Sequence, residues 1–366
     1  MIKKVFLDNV SLLTKDLPHY NQKQTITIII LVLFFIGCSH KSLVINKNTL
    51  SFDKFPIEDK ISFSDIYEYK EGVAGMLELV DSTLIIFNVS QGINYFLNNY
   101  SLKSGQLSKG YLSQGKGPGE AIGARAIGVN GNTLWLYDIS LKKIMTIDVT
   151  KIISDNMILS FNEYPVIGYH YMIGFKDSLH YFGVGSKSSA FKIQEVELIS
   201  SKETNEYGKF AVILNNIPFI SFKSAYESFI FTKPTGDKIV LPYRFLDAIE
   251  IYDVKKQTSV VVHGPEGFDV KFEPLPNGIE RTKETRFAFV NGTVTNKYIY
   301  MSYSGLLCDN ENSYYGNCVY VYDWEGNPIR KLVLDRQIEG LVVSADDKTM
   351  YAYDVNSGFL IESNIN

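Results

Sequence analysis

The 366-residue chain is long enough for two average domains or for one large β-architecture, since barrels and propellers often exceed the usual domain size. Hydrophobic residues make up 45 % and charged residues 21 %, the balance of a globular protein with a real core and not of a disordered chain. A formal net charge of −4, with lysines scattered along the chain, argues against nucleic acid as a partner.

The first element in chain order is an apolar run, ITIIILVLFFIG, from Ile26 to Gly37, preceded by Lys23 and followed by Cys38 and the polar SHKS. A dozen residues fall short of the roughly 20 that span a bilayer as a helix, but they match the apolar centre of a secretory signal. Gly37 followed by Cys38 resembles the lipobox of bacterial lipoproteins, with Phe35 where leucine is usual. That resemblance implies acylation of the Cys38 thiol and cleavage just before it. The alternative is an uncleaved short anchor with an incidental cysteine. The 25 residues ahead of the run include Asp8 and Asp16 and exceed a normal charged leader, which predicts a start downstream of Met1. Residues 1–38 therefore read as a lipoprotein signal, 39–66 as a tether and closing strand, and 67–366 as the folded body. Ser39 after the cysteine is compatible with outer-membrane sorting. The expected location is the cell envelope, lipid-anchored, facing periplasm or exterior.

The 24 Tyr and 23 Phe suit pleated, half-buried surfaces and point to an all-β fold. A polar turn followed directly by an apolar strand then recurs along the mature chain: DSTLIIF, GNTLWLYD, KDSLHYF, GDKIVLPY, TNKYIYMSY and DDKTMYAYD. The first apolar residues, Leu84, Leu134, Leu179, Ile239, Tyr298 and Met350, are spaced by 50, 45, 60, 59 and 52 positions. Each turn has an apolar stretch before it and a second strand after it. The pattern predicts six units of four antiparallel strands, a six-bladed β-propeller with Tyr and Phe filling the wedges between blades. Tyr-Asp pairs end four strands, at Asp138, Asp253, Asp323 and Asp354, where the carboxylate is expected to accept backbone N–H groups of the next turn. The last unit lacks an outer strand, and the extended segment from Leu43 to Tyr67 is expected to supply it and close the ring.

The stretch SQGKGPGEA, with Gly115, Gly117, Pro118 and Gly119, falls at the crossing from the first unit to the second. It lacks the spacing and following helix of a dinucleotide fingerprint, and Lys116 is followed by Gly117 where a phosphate loop needs Ser or Thr. A bend stiffened by proline is the expected role. GKGPGE here, VYDWEGNP from Val321 to Pro328 and, more weakly, HGPEGF from His263 to Phe268 resemble the TolB-like six-bladed propeller lipoproteins of Bacteroidetes. The resemblance runs from about Cys38 to Asn366 and implies a membrane-tethered propeller. Ala121 replaces the aromatic residue that usually follows the glutamate.

No catalytic constellation is apparent: His170, His180 and His263 do not lie in H-E-x-x-H spacing, and no G-x-S-x-G elbow is present. His170 and His180 read as packed strand residues. DNENS at Asp309 alternates carboxylate and amide but lacks the glycine and distal glutamate of a calcium loop, which leaves calcium there an open alternative, and no cofactor or metal is assigned. Cys308 and Cys318 flank a polar loop, and in an oxidising envelope a disulfide is expected, ahead of free thiols and of a metal site. The first functional reading is a monomeric binding or scaffolding module for an envelope protein or glycan, using Glu120, Arg125, Arg281 and Arg286 on the crossing-side loops. The second is a metal-dependent hydrolase, of lactonase or phosphoesterase type, with carboxylates at the channel mouth.

Overall fold

Burial shows why these segments are strands. All six residues of Thr83–Asn88 and all four of Met172–Phe175 are buried, so each strand is covered on both faces and reads as a short continuous apolar run. The polar residues between such runs supply tight turns, with positive φ at Asp81 and Gly131. The computed structural model describes residues 48–90, 92–153, 159–210 and 217–366. Ile26–Gly37, Cys38 and the tether as far as residue 47 lie outside the described residues.

The strands form successive antiparallel meanders. Ala74–Val80, Thr83–Asn88, Tyr95–Ser101 and Gln106–Leu107 make one sheet, to which Tyr111–Ser113 adds alongside Tyr95–Ser101. Ala124–Asn130, Thr133–Asp138, Lys143–Asp148 and Asn162–Pro165 make the next, then Met172–Phe175, His180–Val184, Phe191–Glu197 and Glu203–Lys209. Phe231–Thr232, Lys238–Pro242, Ala248–Asp253 and Thr258–His263 follow, with Thr49–Ser51 added parallel at the outer edge. The last sheet has eight strands because Pro328–Val343 belongs to two meanders: its first part pairs with Gly316–Asp323 and its second with Thr349–Asp354. Ser64–Glu68 pairs antiparallel with Phe359–Asn364, Phe359 opposite Glu68, and Glu58–Ile61 runs parallel to Pro328–Val343.

The innermost strands lie side by side in sequence: Ala74–Val80, Ala124–Asn130, Met172–Phe175, Phe231–Thr232, Phe289–Val294 and Pro328–Val343, which comes back to Ala74–Val80. At that last seam a Cβ on Gly340 would come within 2.5 Å of the Ala74 carbonyl oxygen, so only glycine lets the two backbones meet. The fold is an all-β propeller around a central channel.

Aromatic residues fill the wedges between sheets. Trp135 stacks on Phe175 of the following sheet at 5.1 Å between centroids, and Phe55 packs on Tyr320 at 4.7 Å. Another cluster joins Tyr353 and Leu360 of the last meander to Leu77 and Leu84 of the first. Truncating one such ring to alanine removes about 3–5 kcal/mol. The Tyr-Asp corners do the turn work expected of them. Asp138 accepts the N–H groups of Ser140 and Leu141 at 2.8 Å each, Asp253 that of Lys256, Asp323 those of Glu325 and Asn327, and Asp354 that of Asn356. Asp138 also accepts from Ile122 and Gly123, fastening the glycine-rich crossing to its own sheet.

Candidate functional site

Inner strands and loops of successive meanders converge on one mouth of the channel. Arg125 is the second residue of Ala124–Asn130, Tyr171 immediately precedes Met172–Phe175, and Arg244 follows Lys238–Pro242. With Ser90, Gln114, Phe229, Asn291, Tyr314 and Glu339 they line a cavity of about 520 Å³. A smaller cavity of about 150 Å³ lies further along the channel and holds Glu78, Trp135 and Thr232.

The mouth is built around Tyr171. The Arg125 guanidinium lies 4.3 Å from the centre of its ring and donates to its hydroxyl, and Arg244 Nη1 donates to the same oxygen at 2.8 Å. Arg244 also pairs with Glu227 at 2.6 Å and lies over Phe245 and Phe287, each 5.4 Å away. Among the described residues no carboxylate reaches ion-pair distance of Arg125. The Nε atoms of both arginines are buried without a partner. Burial first, then the neighbouring Arg244 charge, pulls the Arg125 pKa below its ordinary value. Burial likewise raises Glu339, and it pushes Glu78 up to about 8.

Side-chain amides brace the frame of the mouth. Asn291 Nδ2 donates to the carbonyls of Gly75 and Glu339 at 2.8 Å each, tying three inner strands together. Asn88 Nδ2 donates to the Glu71 carbonyl at 2.6 Å while its oxygen accepts from Ser90 N–H at 3.0 Å. Beside the mouth, a recess of about 80 Å³ shares Tyr171 with it and adds Tyr169, Lys187, Phe210, Lys223 and Glu227. Lys223 donates to the Ser186 and Ser189 carbonyls, and burial brings its pKa down to about 8.

Of the four charged residues singled out in the sequence, Arg125 alone lines this mouth. Glu120 folds back on its own loop and accepts the Gly117 N–H at 2.7 Å, while the Gly119 N–H goes to Glu163 at 2.8 Å. With those two amides occupied by carboxylates, the loop is a closed bend and no phosphate cradle. A Cβ on Gly115 would fall 2.0 Å from the Glu120 carboxylate, so a larger residue there would displace the group that holds the Gly117 amide, and Gly119 has φ +73° after Pro118. Arg281, at the end of the strand Gly278–Arg281, donates to the Tyr314 hydroxyl at 3.1 Å and lies over Phe287, and Arg286 donates to the Gly305 carbonyl at 2.9 Å and lies over Phe268. His170 is buried and its pKa falls to about 4 through desolvation. His180 is held by Asp177 at 3.0 Å.

The expected disulfide is corrected: Cys308 and Cys318 are free thiols. Gly316–Asp323 has already begun when it reaches Cys318, which turns its sulfur into the core beside Tyr303, where burial pushes the thiol up to about 12. Cys308 stays on the loop side, its N–H bonded to the Thr285 carbonyl and its thiol in the field of Arg281. Tyr171, Glu227 and Arg244 escaped the sequence reading because each comes from a different stretch and none stands in a recognisable spacing.

The family model for TolB-like 6-blade propeller-like proteins matches residues 72–346. Among solved structures, a Bacteroides fragilis protein described as exported superposes with a TM-score of 0.53 at 14 % identity, over 87 % of this chain and 99 % of that one. The Cps50 (Swd1) β-propeller domain of Myceliophteria thermophila aligns over 83 % of this chain and 100 % of its own, at 9 % identity and a TM-score of 0.47. No curated protein matches the sequence. At these identities the solved structures speak to the fold alone. The family match spans about three quarters of the sequence, and the chain belongs to the TolB-like 6-blade propeller-like family.

Proposed function

We propose that the chain is an exported, lipid-anchored propeller of six blades, closed by its own N-terminal strand, whose work is to bind an envelope ligand at the channel mouth. The pairing of Ser64–Glu68 with Phe359–Asn364 supports the closure, since it supplies the strand that the last repeat lacks. The lipobox-like Gly37-Cys38 supports acylation at Cys38. The likeness to a Bacteroides fragilis protein described as exported supports an envelope location. Among the described residues no helix is long and apolar enough to cross a membrane.

The observation that carries the binding reading is the cavity of about 520 Å³, within the size range of ligand sites, with buried donors left over on Arg125 and Arg244. A hydrolase would need carboxylates from several strands on one point. Glu78 and Glu339 line different cavities, and among the described residues no three His, Cys, Asp or Glu side chains gather closely enough to hold a metal.

The test is calorimetric titration of the full chain with a panel of envelope glycans and peptides, repeated on Gln114→Trp. Gln114 is exposed and lines the mouth, so the indole fills the opening. A ligand bound by the native chain and lost in the variant supports the reading. Affinity unchanged in the variant, or calcium-dependent lactonase or esterase turnover, overturns it. Cys38→Ala should move the protein from the membrane fraction to the soluble fraction; retention in the membrane rejects the lipid anchor.

A further inference from the structure

The arginine pair carries more charge than the fold requires. Arg125 and Arg244 both spend a donor on one neutral acceptor, the Tyr171 hydroxyl, and Glu227 supplies the one carboxylate paired with either of them among the described residues. The trio of ionised side chains leaves a net positive charge in a half-buried setting, and Glu339, the other carboxyl lining the mouth, makes no ion pair with either arginine. Arginines away from a partner normally extend into water. Here Arg125 is instead held against the Tyr171 ring, its Nε buried and unused. Stacking of this kind fixes the plane of the guanidinium fork before any ligand arrives, and a fixed fork matches a carboxylate.

The remainder of the cavity describes the rest of the ligand. About 520 Å³ is far more than one oxyanion fills. Phe96, Phe229 and Tyr314 offer apolar faces, Ser90 and Gln114 offer polar groups, and Glu339 disfavours a second negative group within the same space. A ring with apolar C–H faces, several hydroxyls and a single carboxylate satisfies all of these. We propose that the mouth takes an acidic sugar, a uronate residue whose carboxylate sits against Arg125 and Arg244. This inference rests on the ligand-binding reading of the same mouth.

The experiment titrates the full chain with a glucuronate-terminated trisaccharide, its uncharged glucose-terminated counterpart, and inorganic phosphate. Variants are Arg125→Gln, Arg125→Lys, the mouth-filling Gln114→Trp, and Lys256→Gln on an exposed turn as control. The acidic sugar should bind at least about tenfold more tightly than the neutral one, the scale of one charge-assisted hydrogen-bond pair. Arg125→Gln should lose about tenfold or more, Arg125→Lys should fall between because it keeps the charge without the fork, and Lys256→Gln should match the native chain. Melting curves verify that each variant is folded. Equal affinity for both sugars, phosphate binding as tightly as the uronate, or Arg125→Lys and Arg125→Gln both indistinguishable from the native chain overturns the inference. A neutral sugar that binds as tightly as the acidic one and is lost in Gln114→Trp removes the acidic class while leaving the mouth as the binding site. Absence of binding by every probe overturns the acidic-sugar class, and with the wider panel also silent the mouth reading falls with it.

Discussion

Replacing Glu250 by glutamine removes one charge and almost no volume from Ala248–Asp253. The side chain is 2 % exposed and its two oxygens are fully used: Lys192 Nζ at 2.6 Å, the Tyr243 and Tyr252 hydroxyls at 2.6 Å each, and the Ser259 hydroxyl at 3.0 Å. Lys192 comes from Phe191–Glu197 of the preceding meander, so the network staples two sheets. Burial alone would raise the Glu250 pKa, but Lys192 and the tyrosine hydroxyls more than offset it and hold the carboxyl below its ordinary value. The glutamine still offers one oxygen, yet it leaves the Lys192 ammonium in the interior without its carboxylate, its remaining hydrogen bond in this network being to the Tyr243 hydroxyl at 3.2 Å. Breaking a buried pair on one side costs about 3–5 kcal/mol, and the retained oxygen places Glu250→Gln near about 3 kcal/mol. At roughly 2 °C per kcal/mol for a domain of this size, the melting point should fall by about 6 °C. The folded pKa lies below the unfolded value of 4.5, so the contribution is complete above about 4.5 and is lost as pH falls through the lower folded value. Urea melts of the native chain, Glu250→Gln, Lys192→Met and the double variant should therefore show a gap that is widest near neutrality and narrows in acid, with a coupling of about 2 kcal/mol between the two sites. A Glu250→Gln cost under about 0.5 kcal/mol, or strict additivity with Lys192→Met, would refute the reasoning.

Other residues test the same physics. His170 is buried with a pKa near 4 against 6.5 for an exposed imidazole, so the unfolded chain takes up a proton first and stability should fall by about 3 kcal/mol as pH drops from 6.5 to 4; His170→Gln should flatten that slope in pH-dependent melts. Asp138→Ala strands four backbone N–H groups at a buried corner and should cost about 3 kcal/mol, with Asp138→Asn milder because one oxygen remains; a loss below about 1 kcal/mol in chemical denaturation contradicts the assigned role. Reductant should leave the melting point unchanged, and thiol labelling of the native protein should modify Cys308 before Cys318, whose thiol is buried; a drop of several degrees on reduction would restore the disulfide.

The repeat was legible because each unit must meet the same demands: a tight turn, a strand buried on both faces, and a corner acceptor. Leu84, Leu134 and Ile239 all begin such strands or follow directly on their first residue, and the Tyr-Asp pairs all cap turns. The glycines at Gly115 and Gly119 were legible as a bend, although the carboxylate that locks it, Glu120, had been assigned to the binding surface. Cys308 and Cys318 misled because a polar loop between two cysteines says nothing about where the following strand begins. Gly316 starts that strand two residues before Cys318 and turns the thiol inward.

The site was hidden for the opposite reason: it consists of departures from the repeat. Taking the second residue of each inner strand, and counting the second part of Pro328–Val343 from Ile338, gives Gly75, Arg125, Ile173, Thr232, Val290 and Glu339. Four are neutral, as a narrow channel between close-packed strands demands, and two are charged, facing the same cavity as Gly75 and Val290. An ionised group at that level gives up hydration that packing cannot return, so its presence needs a compensating partner. Arg125 finds an aromatic face and a shared hydroxyl in Tyr171, and no carboxylate within ion-pair distance among the described residues. The strands and corners that repeat make the ring; the one cation that breaks the register, left short of a counter-charge by its own fold, is where a ligand has something to supply.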